Sequence, residues 1–239
     1  MGRKLSAWTL SLESKVDYER RQACEALGEL GPAAKEAVPK LVLRLEDVNE
    51  GVAEFAAVAL AKIGPDAVPA LEAVLKRDEP KLRLYAAEAL STIDARHEAA
   101  GRELINAATG LGNAELAERG RGALVKLKAQ AVPLVTPILS DHYAPVRLQA
   151  AKILGEVGPE AASAVDALAG LAKIDRDISV RKEAMRAMAR IGPREKVAPI
   201  LEAALNDPNG EISANAGALL LHIGARSSAS GSEDESAQK

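Results

Sequence analysis

Aromatic residues are nearly absent: one Trp, three Tyr and one Phe in 239 residues. A sheet-based core concentrates aromatic and β-branched side chains. This chain, 48% hydrophobic but 2% aromatic, reads instead as tightly packed helices with a core of alanine, leucine and valine. Cysteine occurs once, at Cys24, which excludes an internal disulfide and a thiolate zinc site. No sign of charge dominates either: 31 Lys and Arg stand against 34 Asp and Glu, a formal charge of −3. That balance gives no general electrostatic pull toward nucleic acid or an anionic membrane. No uninterrupted apolar run approaches the roughly 18 residues of a membrane span. Near the start, Arg3 and Lys4 precede Leu5, Trp8, Leu10 and Leu12, but Ser6, Thr9 and Ser11 break the run, which makes a poor signal peptide. A cytoplasmic location is the expectation.

Glycine and proline, by contrast, recur as punctuation. The stretch Pro145 to Pro159 has apolar positions Val146, Ala150, Ala151, Leu154 and Val157, then a Gly-Pro stop. The same frame ends at Gly31, Gly64, Asp94, Lys128, Gly192 and Gly224, with successive stops 33, 30, 34, 30, 34 and 32 residues apart. Four before the stop stand Leu27, Leu60, Leu90, Leu124, Leu154, Met188 and Leu220; eight before stand Ala23, Ala56, Ala86, Gly120, Ala150, Ala184 and Ala216. Apolar residues at this spacing form one stripe of an α-helix. Glycine suits the left-handed end of a helix and proline cannot continue it. A second apolar run follows most stops: Val38, Leu41 and Leu45; Val68, Leu71 and Leu75; Val132, Val135 and Leu139; Val197, Leu201 and Leu205. Each unit is therefore a helical hairpin that buries its stripe only by stacking on its neighbours, and a period of this length predicts a solenoid. The expected fold is all-α, a right-handed α-solenoid of about seven hairpins and fourteen helices over residues 1–225. The segment Arg226 to Lys239, with no apolar residue larger than alanine, reads as a disordered polar tail.

The pattern resembles the HEAT-repeat family, and within it the short bacterial repeats called phycobilisome-lyase-like. Pro145-Val146-Arg147, Ala150-Ala151, Leu154-Gly155 and Val157-Gly158-Pro159 carry the resemblance, with Val180-Arg181 and Leu82-Arg83 as partial copies; the match runs from Asp17 to Gly224. In that family an arginine at the place of Arg83, Arg147 and Arg181 pairs with an acidic group of its own or the adjacent repeat. The resemblance implies a binding scaffold, or alternatively an accessory subunit of a bilin lyase with Tyr85 and Tyr143 as the aromatic residues near a pigment. HEAT-type deoxyhypusine hydroxylases hold a di-iron centre through several His-Glu pairs. Here only His97 of His97, His142 and His222 is followed by Glu, and three or more converging ligands are needed. No metal and no cofactor are expected. HEAT-like DNA glycosylases add aromatic residues and a catalytic Asp to a basic groove; that constellation is missing, so the ridge Lys182, Arg186 and Arg190 reads as a solvated face.

There is no phosphate-binding glycine loop, and no nucleophile with a His base at recognisable spacing. The expected function is thus a non-enzymatic protein-interaction scaffold that uses the second helices as an extended groove. Its candidate contacts are Lys40, Arg44, Lys76, Arg77 and Arg102, a basic row suited to an acidic partner segment, and the aromatic pair Phe55 and Tyr85, nine before their stops on adjacent first helices. Cys24 fills a small-residue slot. Asp141, Asp175 and Asp177 look like N-caps. Repeat four, with Gly110, Gly112, Gly120, Gly122, Arg119 and Arg121, is expected to be the softest unless its glycines admit something close to the backbone; Pro137 removes a further helical hydrogen bond. Repeat seven lacks a second helix, so the run Leu219, Leu220 and Leu221 points to self-association through this end, or to one leucine left uncovered while the stripe packs on repeat six.

Overall fold

The first six stops in the frame each follow the end of a helix, and the backbone shows why. Gly31, Gly64 and Gly158 have φ of 57°, 83° and 81°, a region closed to most side chains. Lys128, at the same place in repeat four, holds φ 50° without being glycine. Asp94 and Gly192 end their helices with extended backbone instead.

A computed structural model describes residues 5–110 and 112–234, with side chains as far as Gly224. The described residues form fourteen α-helices and five 3-10 segments, with no strand. Their contacts fall into two compact units, Met1–Ala123 and Leu124–Lys239. In the first, α1 (Leu5–Ser11) packs on α2 (Asp17–Leu30), and α3 (Val38–Arg44), α4 (Glu50–Ile63), α5 (Val68–Val74), α6 (Pro80–Ile93), α7 (Glu98–Thr109) and α8 (Ala114–Lys126) follow. First helices stack in series, α2 on α4 and α4 on α6. In the second unit, α9 (Ala131–Val135), α10 (Ala144–Val157), α11 (Val165–Ile174), α12 (Ile178–Ile191), α13 (Arg194–Ala204) and α14 (Gly210–Asp234) repeat the plan, with α10 on α12 and α12 on α14. The chain is an all-α repeat fold.

The frame's apolar columns are its core. Ala23, Leu27, Ala56, Leu60, Ala86 and Leu90 in the first unit, and Leu124, Ala150, Leu154, Ala184, Met188 and Ala216 in the second, are all 0% exposed. Each leucine so buried contributes about 1.5–3 kcal/mol. Cys24 lies in the same core, and burial pushes its thiol up to about 12.

A second column is polar and joins the repeats. Arg147 donates twice to Asp175, Nε and Nη2 each at 2.7 Å, and its Nη1 donates to the Asp141 carbonyl at 2.8 Å. Arg181 binds Asp207, and Arg83 donates to Glu103 at 2.9 Å, so the arginines pair with acids as the family resemblance implies. Arg20, at the same frame position, binds Asp47 at 2.7 Å. Asp47, Asp175 and Asp207 each also accept the backbone N–H two residues on, from Asn49, Asp177 and Asn209. Those next residues cap the following helices: Asn49 accepts from Val52, Asp177 from Ser179 and Val180, Asn209 from Glu211 and Ile212. Of the three aspartates expected as caps, only Asp177 is one. Asp175 is committed to Arg147, and Asp141 closes a turn by accepting from Tyr143.

Repeat four is close-packed at its glycine. A Cβ on Gly120 would stand 2.8 Å from the Ala107 Cβ and 2.8 Å from the Ala108 nitrogen, so α8 lies against α7 there. Its neighbour Gly122 faces open space. Pro137 ends α9 early: a 3-10 segment, Thr136–Ser140, replaces the helix. At the other end α14 does not stop at Ile223 but runs to Asp234, so residues 226–234 of the expected tail are helical; residues 235–239 and the Arg3–Lys4 pair lie outside the described residues.

Candidate functional site

In the first unit the basic row is in place but already occupied. Lys40 pairs with Glu13 at 2.7 Å, Arg44 with Asp47 at 3.1 Å, Arg77 with Glu46 at 3.1 Å, and Arg102 with Glu98 at 2.8 Å. Of the five, Lys76 alone is exposed with no ion pair to a described residue. The row is a set of neutralised pairs rather than a positive strip. The signs of the basic residues are legible in sequence, as are the local partners Asp47, three after Arg44, and Glu98, four before Arg102; Glu13 and Glu46 come from other segments and are not.

The aromatic pair is on adjacent first helices but is not an open anchor. Phe55 is half-buried with the Arg21 guanidinium 4.5 Å above its ring. Tyr85, expected at the surface, is 1% exposed. Arg119 covers its ring at 4.5 Å and holds Glu54 at 2.6 Å and Glu88 at 2.8 and 2.9 Å. The Tyr85 hydroxyl donates to Glu50 at 3.3 Å. Burial raises the Tyr85 pKa, reinforced by Glu50 and opposed by Arg119. Burial works against the Arg119 charge, and the two carboxylates outweigh it. Arg119 was legible in one respect: it stands nine before Lys128, the frame position of Phe55 and Tyr85.

His97 has a structural job. Its Nδ1 accepts the Ala100 N–H at 3.2 Å and so caps α7, which leaves Nε2 to donate to Glu72 at 3.2 Å. No three His, Cys, Asp or Glu side chains converge among the described residues to hold a metal. A cleft of about 180 Å³ opens beside Val48 and Glu50, small against the roughly 300–1,000 Å³ of a small-molecule pocket.

The second unit exposes small and aliphatic residues on its second helices. Pro133 and Pro137, Ala167 and Gly170 of α11, and Pro199 and Ala203 of α13 are exposed, with Leu134, Leu171 and Ile200 half-buried among them and Ile174 77% exposed. Charges are exposed on the same helices: Asp166 and Lys196 stand 3.5 Å apart, and Lys173, Arg194, Glu195 and Glu202 are exposed too. The second helices of the first unit likewise expose Pro39, Leu43, Pro69 and Ala73, with Glu72 and Arg102 exposed and Lys40 and Glu103 half-buried among them. Reading the helices for positive charge alone passes over these exposed small and aliphatic positions. On the first helices of the second unit, Lys182 pairs with Glu211 and Arg186 with Glu183, and Arg190 is exposed. At α14, Ile212 and Ala216 are fully buried, Leu219 and Leu220 are half-buried, and Leu221 is 78% exposed, so one leucine of the three is left out. No described helix is long and apolar enough to cross a membrane.

Residues 5–91 and 132–221 match the family described as HEAT repeats. No curated protein matches the sequence. Among solved structures, the chain resembles an engineered protein at 23% identity over 94% of this chain and 98% of that one, with a TM-score of 0.36. It resembles human deoxyhypusine hydroxylase at 19% identity over 93% and 85%, TM-score 0.43. It also resembles the CpcE–CpcF complex of phycocyanin lyase from Nostoc sp. PCC7120 at 20% identity over 93% and 96%, TM-score 0.43. At these scores no substrate, metal or partner carries over.

Proposed function

The chain belongs to the HEAT-repeat family, and we propose that it works as a non-catalytic scaffold binding a partner protein along the second helices of its repeats. One observation carries the reading. On α9, α11 and α13 the exposed Pro133, Ala167, Gly170, Pro199 and Ala203 are uncharged and small, and the exposed charges of the same helices, Asp166, Lys173, Arg194, Glu195, Lys196 and Glu202, flank them in sequence. Charge depletion at the centre with a polar rim is how binding patches differ from ordinary surface. An amphipathic helix or an extended apolar segment suits such a face better than the acidic segment expected from the basic row, since four of that row's five cations are paired.

The test is capture from the native host followed by mass spectrometry, with three forms of the protein. Proteins retained by the parent and by Lys76→Glu but lost with Ala167→Glu plus Ala203→Glu support the reading. An unchanged set with the double variant refutes it, and loss with Lys76→Glu alone returns the site to the basic row. Exposed Leu221 supports a second, weaker contact between copies through α14. Light scattering across a concentration series reads this directly: Leu221→Lys removes the concentration dependence, and a parent that stays monomeric throughout rules the contact out.

A further inference from the structure

The cleft in the first unit lies where the loop before α4 meets the start of α6. Its floor is apolar: Leu45, Ala53, Leu82 and Tyr85 are 2%, 1%, 8% and 1% exposed. Its lip is Val48, 99% exposed, an aliphatic side chain held entirely in solvent beside the opening. At about 180 Å³ the space is close to that of a cavity that accepts a single benzene ring, roughly 150 Å³. It therefore takes one side chain rather than a cofactor. The rim is charged unevenly. Of the residues that line it, Glu46 and Glu50 are 46% and 48% exposed; Glu46 pairs with Arg77, outside the lining, and Glu50 with Lys81. Asp47 is already consumed by Arg20 and Arg44. Two exposed carboxylates thus line the cleft against the single lining cation Lys81, and exposed pairs of this kind are held weakly enough for an incoming cation to share them.

We propose that this cleft is a second docking site, separate from the second-helix face, for a protein segment that places one leucine or methionine on the apolar floor. A flanking lysine or arginine of that segment meets Glu46 or Glu50. Val48 then packs against the backbone of the segment and shields the anchor, as neutral contacts around a buried anchor do. The partner chemistry is the reverse of that suggested by the basic row: basic and aliphatic, not acidic.

The experiment uses the full chain, isotope-labelled, titrated in nuclear magnetic resonance with three capped tripeptides: Arg-Leu-Arg, Arg-Ala-Arg and Glu-Leu-Glu. The expected result is saturable shifts at Val48, Glu50, Lys81 and Leu82 with Arg-Leu-Arg, and at least about tenfold weaker binding of the other two. Ala53→Leu fills the floor and abolishes binding. Should that variant not fold, Glu46→Lys plus Glu50→Lys, both on the surface, removes the preference for Arg over Glu. No saturable shift at the cleft, shifts centred elsewhere, or equal affinity for the leucine and alanine peptides overturns the proposal. The double variant Ala167→Glu plus Ala203→Glu leaves the peptide titration unchanged, so the two docking readings fail independently.

Discussion

Two glycines, two residues apart on α8, are expected to respond to alanine in opposite directions. Gly122 is half-buried and a Cβ there meets nothing within 4 Å, so Gly122→Ala gains only helix propensity, about 0.5–1 kcal/mol. Gly120 would gain the same amount, but its Cβ lands 2.8 Å from the Ala107 Cβ and the Ala108 nitrogen and 3.0 Å from the Leu104 carbonyl oxygen. Carbon atoms prefer about 3.5–4.0 Å, so α8 must withdraw from α7 by roughly 0.5–1 Å. Overpacking of this kind costs about 1–3 kcal/mol, which leaves a net loss of about 0.5–2 kcal/mol. At about 2–4 °C per kcal/mol for a chain of this size, Gly122→Ala melts a few degrees above the parent and Gly120→Ala a few degrees below. Urea unfolding followed by far-ultraviolet circular dichroism and by the fluorescence of Trp8, the single tryptophan, measures both. Hydrogen exchange adds the local view, with Leu104 to Ala108 exchanging faster in Gly120→Ala than in the parent. Two variants stabilised to the same extent would refute the close approach of α7 and α8.

Further expectations concern the stops, the joints and the core. Lys128→Gly relieves a left-handed backbone that costs a non-glycine residue roughly 1–2 kcal/mol. Part of that gain is offset by the freer unfolded chain, so a stabilisation of about 0.5–1 kcal/mol in urea titration is expected. Arg147→Ala strands Asp175, whose side chain is 6% exposed, and is expected to cost about 2–4 kcal/mol. Burial raises the Asp175 pKa, but the Arg147 hydrogen bonds and the Asp177 N–H outweigh it, and the net shift is downward. The folded carboxyl therefore titrates below the unfolded value of about 3.9. Its stabilisation is present above that pH and is lost as pH falls below it. In Arg147→Ala the decline of stability with acid is correspondingly shallower than in the parent. Cys24, buried and with its thiol pushed up to about 12, is expected to resist thiol reagents at neutral pH until the chain is denatured.

The repeat frame was legible because its signals are local and redundant. Leu27, Leu60 and Leu154 mark one column, and Gly31, Gly64 and Gly158 mark the ends, each within a single helix. Arg147 and Arg181 were recognisable by position, yet Asp175 and Asp207 were not named as their partners, and Arg20 passed unnoticed because Glu19 rather than an apolar residue precedes it. What failed was long-range. Arg119 reaches Glu54 65 residues upstream, and no helical period announces such a pair. Lys40 looks available because Glu13, which pairs with it, lies 27 residues upstream; Arg44 has its partner Asp47 only three residues on, a local pair that a row read for one sign leaves out. Tyr85 looks exposed for the same reason: the group that covers it, Arg119, sits in repeat four, which the sequence marks as the softest.

The arginine joints carry a consequence for how such a chain can be lengthened or cut. In the second unit the lock at one boundary, Arg147 with Asp175, is built like the lock at the next, Arg181 with Asp207, and the two arginines are 34 residues apart. Each lock lies wholly within one period, and its aspartate is followed two residues later by the cap of the succeeding helix. Removing one period between the arginines would bring Arg181 to the turn that Arg147 now grips, with Asp207 still at its own distance downstream. The joint travels with the segment it closes. A chain of this kind can gain or lose whole periods without leaving an acid or a guanidinium stranded, whereas an excision that takes only one member of a pair orphans the other.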